Sequence, residues 1–411
     1  MKPEQTLLIV GGKTKIVEKA KGLGLDVVLF QAKGQFRPDQ QELADAAVLV
    51  DYTDWSALGP LARGAHEAWR FPAVLSLTEP GLDPAARVND MLGLGGTSYD
   101  VSHRLTDKWL MRRHLESVGA PTLPAALASG EDSLRAFGRE HGYPFIVKPT
   151  ALTASLGVFR VEDEAAVGDV WRRVCELRAS GALQWADFFT IGEFMMEPYV
   201  PGPEYSVEGF SFAGRHVALA VTEKHTAGAF VEVGHALPAP LERELEDAIV
   251  EAATTFLDAI GFRDGPTHTE VKVGPDGPIV LESHNRVGGD RINELVQAAY
   301  GIDMDTYAIG WPFRLVEELR ERPEPKCAAA TVFFFGESGR VKAIEGADEV
   351  RAHPDVVLLD VNVAVDGVIA PVRGNWDRAG QVLATGPDAA AALRTCEELV
   401  AGIRIVTEPE G

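Results

Sequence analysis

Thr267-His268-Thr269-Glu270-Val271-Lys272 and Ile279-Val280-Leu281-Glu282, joined through Gly274-Pro275-Asp276-Gly277-Pro278, read as a hairpin whose strands end in glutamates. The short turn can bring Glu270 and Glu282 to one place at the open end. Two carboxylates held together raise each other's proton affinity unless a cation lies between them. Mg2+ takes carboxylate and phosphate oxygens at once, so such a pair suits a metal-bound nucleotide. By themselves the two residues read better as solvated strand ends. The stretch directly after Glu282, Ser283-His284-Asn285-Arg286-Val287-Gly288-Gly289-Asp290, shifts the balance. Arg286 can hold a phosphate or carboxylate bidentately, and the glycines let backbone N–H groups approach an anion just before a helix. A purely structural turn needs no such collection.

Upstream, Phe145-Ile146-Val147-Lys148-Pro149 is an apolar strand ending in a lysine, followed by the small-residue loop 150–157. That loop is flexible enough to fold over phosphates, so Lys148 reads evenly as functional or solvated. Lys108, in Thr106-Asp107-Lys108, alone reads as a surface residue. The start of the chain alternates strands (7–10, 27–30, 48–50, 74–77) with helical stretches, the pattern of a parallel sheet covered by helices. The charged, proline-rich stretch 321–325 reads as a linker. Three domains are expected: 1–103, parallel α/β; 104–325, a core with a small lid at about 126–196; and 326–411, a smaller α+β domain.

Some patterns lead nowhere. Gly12-Lys13-Thr14 ends like a phosphate-binding loop, but Leu7 stands where its leading glycine belongs. No dinucleotide fingerprint or serine-hydrolase elbow is completed. With 39 Lys+Arg against 61 Asp+Glu, the net charge of -22 disfavours nucleic acid and anionic membranes as partners. The 46% apolar content supports real cores, and three scattered cysteines suggest a reducing compartment. With no expected leader and no apolar run of membrane-spanning length, the expectation is a cytoplasmic protein.

Taken in order, these pieces resemble the ATP-grasp superfamily, in the branch of the L-amino-acid ligases and biotin carboxylase-like enzymes. The resemblance extends to the tail, through Asp377-Arg378-Ala379-Gly380-Gln381-Val382. It implies the ATP-grasp fold (α/β and α+β), with Lys108 and Lys148 as phosphate-binding lysines and the loop 150–157 as a phosphate cover. Glu197 and Val200 would line adenine, and Glu204 would hold the ribose. Glu270 and Glu282 would bind Mg2+, or Mn2+, and Arg286 would face the γ-phosphate and an acyl phosphate. His235, His268, His284 and Gly288 would lie near the substrates. The family's Glu-x-Asn-x-Arg is here Glu282-Ser283-His284-Asn285-Arg286, with histidine at the Asn position. Mg2+ prefers oxygen, so either Asn285 supplies the third metal contact, or Glu282 binds through both oxygens and His284 contacts substrate.

The implied activity is ATP-dependent carboxylate–amine ligation through an acyl phosphate, with small-molecule acid and amine as substrates. A homodimer is also implied. The alternatives are loading of an amino acid onto a carrier-protein thiol, a carboxylating ligase, and a nucleotide-binding protein that has lost catalysis.

Overall fold

The computed structural model describes residues 2–180, 191–227, 230–372 and 374–409; part of the expected lid, 181–190, lies outside them. The chain begins with β1 (Thr6–Val10), β2 (Asp26–Gln31), β3 (Ala46–Leu49) and β4 (Ala73–Leu75), a parallel sheet ordered β3-β2-β1-β4. Leu7, Leu8, Ile9 and Val10 are all buried, as an unbroken apolar run in a doubly covered parallel strand should be. Ile16, Val17 and Ala20 of the helix Thr14–Gly22 cover one face, and Leu58, Ala62 and Val88 from two further helices cover the other.

A second sheet is built from β5 (Ala126–Leu127), β6 (Phe145–Pro149), β7 (Phe159–Val161) and β8 (Phe194–Pro198), antiparallel and ordered β5-β8-β6-β7. Leu134, Phe137, Val170 and Val174 of its helices pack on Phe145, Val147 and Phe194. This unit falls on the stretch expected as the small lid.

The remaining strands are β9 (Glu204–Phe212), β10 (Arg215–Ala227), β11 (Val231–Leu237), β12 (Gly265–Gly274), β13 (Gly277–His284), β14 (Ala328–Phe334), β15 (Gly339–Glu345), β16 (Val356–Val361), β17 (Val368–Ile369), β18 (Gly380–Gly386) and β19 (Arg404–Glu408). Eight of them form one sheet, ordered β13-β12-β9-β10-β11-β14-β18-β16, and β17-β15-β19 form a small separate one. The large sheet does not stop at the linker. β14 pairs with β11 from Gly234↔Val332 to Leu237↔Ala329, so the C-terminal strands extend the sheet of the core.

Alternation along β9 sends Tyr205 and Val207 under the helix Arg243–Ile260, where Ile249, Ala253, Phe256, Leu257 and Ile260 form its buried stripe. Phe210 and Phe212 face the other way, onto Leu295, Val296 and Ala299 of the helix Ile292–Tyr300. The same alternation turns Glu204, Ser206 and Glu208 to that second face, toward a large cavity among the lid, the first sheet and the large sheet.

Candidate active site

The hairpin of β12 and β13 sets Glu270 opposite Glu282 and His268 opposite His284. Thr269 and Ser283 point the other way and hydrogen-bond each other at 2.8 Å, so two acids and two imidazoles share the cavity face. The two rings stack at 6.3 Å between centroids. His268 lies between Glu208 (Nδ1–Oε2 2.9 Å) and Glu270 (Nε2–Oε1 3.5 Å). Burial opposes its protonation, but the Glu208 carboxylate outweighs that and lifts its pKa to about 9. His284 lies between Glu79 (3.0 Å) and Glu282 (3.1 Å), and is likewise raised by Glu79 against burial. Each ring thus has a carboxylate facing both of its nitrogens, an arrangement in which the imidazoles hold those carboxylates in place.

Each glutamate of the pair is covered by a lysine. Lys108 meets Glu282 at 2.8 Å and Lys224 meets Glu270 at 2.7 Å. Burial works against ionisation of Glu282 and Glu270, but these ammonium groups outweigh it and hold both carboxyls well below the usual range. The pair is therefore a set of hard oxygen donors that already requires cations, which is what a divalent ion needs. Lys108 comes from the buried face of the helix Lys108–Ser117, with Met111, Arg112 and Leu115. Its Nζ also donates to the Leu152 carbonyl at 2.6 Å, tying down the loop after β6. From the end of β6, Lys148 pairs with Glu197 on β8. Arg112 closes this buried set, donating to Glu197 Oε2 (3.1 Å) and to the carbonyls of Val280 (3.0 Å) and Leu281 (2.9 Å).

Lys224 is a hub, with Glu204 and Glu232 each at 2.8 Å as well as Glu270. Its ammonium is held well above its usual value by these three carboxylates, against burial. Beyond Glu232, His235 contacts Asp290 at 3.3 Å, and Asp290 pairs with both terminal nitrogens of Arg378 (2.6 and 2.8 Å). Among the described residues, two groupings have ligand atoms within 4.8 Å of one another: Glu204–Glu232–Glu270 and Glu232–His235–Asp290.

One cavity of about 680 Å3 is lined by Lys108, Lys148, Glu197, Val200, Glu204, His235, His268, Glu270, Glu282, His284, Arg286 and Gly288, large enough for a nucleotide and small substrates. Asn285 is the exception and corrects the expected third metal contact. Alternation puts His284 and Arg286 on the cavity side and turns Asn285 away, where its amide donates to Ser102 at 3.4 Å. Glu197 also differs in manner from its expected place beside adenine: its side chain is the buried partner of Lys148 and Arg112.

Several site residues carry no local signal in the sequence. Glu79, just after β4, grips Arg286 and His284. Arg112 has a weak one, since it lies four residues after Lys108 on the same helical face. Glu232 and Asp290 lie close to the expected site residues without standing out from them, and Arg378 reaches the cavity from the C-terminal part of the chain.

Family models match three parts of the chain: an ATP-grasp N-terminal domain at residues 17–96, an ATP-grasp domain at 141–294, and an L-amino acid ligase C-terminal domain 2 at 332–408. Alanine–anticapsin ligase of Bacillus subtilis (strain 168) is 28% identical over 246 residues, 56% of this chain and 52% of that protein. Carnosine synthase 1 of Gallus gallus is 29% identical over 210 residues, 48% of this chain and 22% of that protein. The chain thus spans about half the length of the first and less of the second. The solved L-amino acid ligase from Bacillus licheniformis shares the fold, with a TM-score of 0.84 at 23% identity over 98% of this chain and 99% of that one. Among the described residues no helix is long and apolar enough to cross a membrane.

Proposed function

We propose that this chain, an ATP-grasp protein with an L-amino acid ligase C-terminal domain, joins a carboxylic acid to the amine of an amino acid at the expense of ATP. The reaction passes through an acyl phosphate and releases ADP and phosphate. The observation that carries this reading is the Glu270–Glu282 pair, each carboxylate covered by a lysine and faced by an imidazole, with Arg286 two residues beyond His284.

Glu270 and Glu282 would hold Mg2+, or Mn2+ by the same oxygen chemistry, which offsets the charge of the triphosphate. Lys108 and Lys148 are buried cations whose present partners are carboxylates, and phosphate oxygens are the equivalent partners when ATP is bound. Val200 and Glu204 would contact adenine and ribose, as the resemblance implies. Arg286 would exchange Glu79 for the transferred phosphoryl group and steady it through the transfer. The loop 150–157, tied at Leu152 to Lys108, would exclude water that hydrolyses an acyl phosphate. In this reading the partners are small molecules and the compartment is the cytoplasm. Two relatives support it: one is an alanine–anticapsin ligase, another a carnosine synthase.

The experiment is ADP release with single and paired amino acids, with hydroxylamine added to trap an acyl phosphate as hydroxamate. Glu282→Gln should cut turnover at least about a hundredfold while circular dichroism stays unchanged. Full activity in that variant, or no acid-dependent ADP from the unaltered protein, overturns the reading; ADP without any amine acceptor would favour a thiol acceptor instead.

A further inference from the structure

The cavity wall around the β11 and β14 strands combines one guanidinium with two carboxylates. Arg378 stacks on Phe333 at 3.7 Å from the ring centroid and donates from Nε to the Asn375 carbonyl at 2.6 Å. Its other two nitrogens take Asp290. Asn375 fixes Glu232 twice, donating its amide to Oε2 and accepting from the backbone N–H of residue 232, both at 2.9 Å. Asp290 and Arg291 have φ of 51° and 63°, a left-handed backbone that non-glycine residues rarely adopt. Each is held by a C-terminal partner, Asp290 by Arg378 and Arg291 by Asp360 at 2.7 and 2.9 Å. The cost of that backbone is accepted to keep Asp290 facing Arg378 inside the cavity.

We propose that Arg378, Asp290 and Glu232 form the subsite of a zwitterionic acceptor, the guanidinium taking its free carboxylate and the two acids its ammonium. This rests on the ligase reading above. Within the chain the halves neutralise each other, and the acceptor exchanges one internal ion pair for two of the same kind. A carboxylate held by Arg378 engages a guanidinium other than Arg286, so it belongs to the substrate whose carboxylate does not react, the acceptor and not the donor. The nitrogen is then placed beside Glu232, which a single ammonium, that of Lys224, connects to Glu270. That puts the nitrogen, a nucleophile once it has given a proton to one of the two carboxylates, next to the phosphoryl-transfer end of the cavity.

The test compares amino-acid acceptors with the same acceptors as primary carboxamides, reading amide product and ADP. Hydroxylamine reports acyl phosphate formation independently. The unaltered protein should favour the free carboxylate by about tenfold or more in kcat/KM, and Arg378→Met should collapse that preference by raising KM for the amino acid. Arg378→Lys should restore part of it. Equal use of acid and carboxamide by the unaltered protein overturns the subsite even if the variant does not fold, as does a preference that survives Arg378→Met. Hydroxamate formation without carboxylate preference removes this inference alone; hydroxamate from no acid removes the ligase reading, and this inference with it.

Discussion

At the scale of single residues, the cavity holds charges in alternating pairs, and the least legible member is Glu79. Burial works against its ionisation, but the Arg286 guanidinium and the His284 imidazolium outweigh burial and hold its carboxyl far below the usual carboxylate range. A carboxyl depressed in the folded state adds stability above its unfolded pKa and loses it as pH falls toward the folded value. Glu79→Gln should therefore lower the urea midpoint at neutral pH, with the gap to the unaltered protein narrowing below about pH 4. A gap independent of pH would show that the grip on Arg286 and His284 is not ionic. Nothing around Glu79-Pro80-Gly81 marks this role in sequence, because its partners lie 205 and 207 residues away. The hairpin glutamates were legible because the two strands that carry them are adjacent in sequence.

At the scale of elements, strand alternation decides which residue of Glu282-Ser283-His284-Asn285-Arg286 reaches the cavity. Ligand chemistry alone favours the oxygen donor Asn285; the period of two overrides that choice and presents His284. The turn after β13 is equally constrained. A Cβ on Gly288 would lie 2.9 Å from His268 Nδ1 and 2.9 Å from the Ile292 Cβ. The imidazole is pinned by Glu208 and cannot give way, and Ile292 begins a helix packed on the sheet. Gly288→Ala should cost about 1–3 kcal/mol in thermal unfolding and raise KM for Mg-ATP, since His268 orients Glu270. Wild-type melting and KM in that variant would mean the turn has room the geometry denies.

At the scale of the whole molecule, the eight-stranded sheet joins what reads in sequence as core and tail. β14 covers the edge of β11, and the chain beyond it brings Asp360, Asn375 and Arg378 to the cavity. A chain ending at Pro325 would leave β11 as an open edge and uncover buried Ala236 and Leu237. That fragment should be insoluble or melt without a cooperative transition, while the full chain should show the C-terminal strands and the core unfolding together in calorimetry. A soluble, cooperatively folding fragment would contradict this. The amino-acid sequence by itself determined the hairpin with its two glutamates, the strand-ending Lys148, the glycine turn after Arg286 and the alternation of the first sheet, because each is written in neighbouring residues with a strand or helix period. Only the tertiary structure decided that Lys108 covers Glu282, that Lys224 joins three carboxylates, that Glu79 holds Arg286 and that Arg378 faces Asp290. Those pairings are set by which strands and domains lie side by side, and a buried charge shows its partner only when the chain has folded around both.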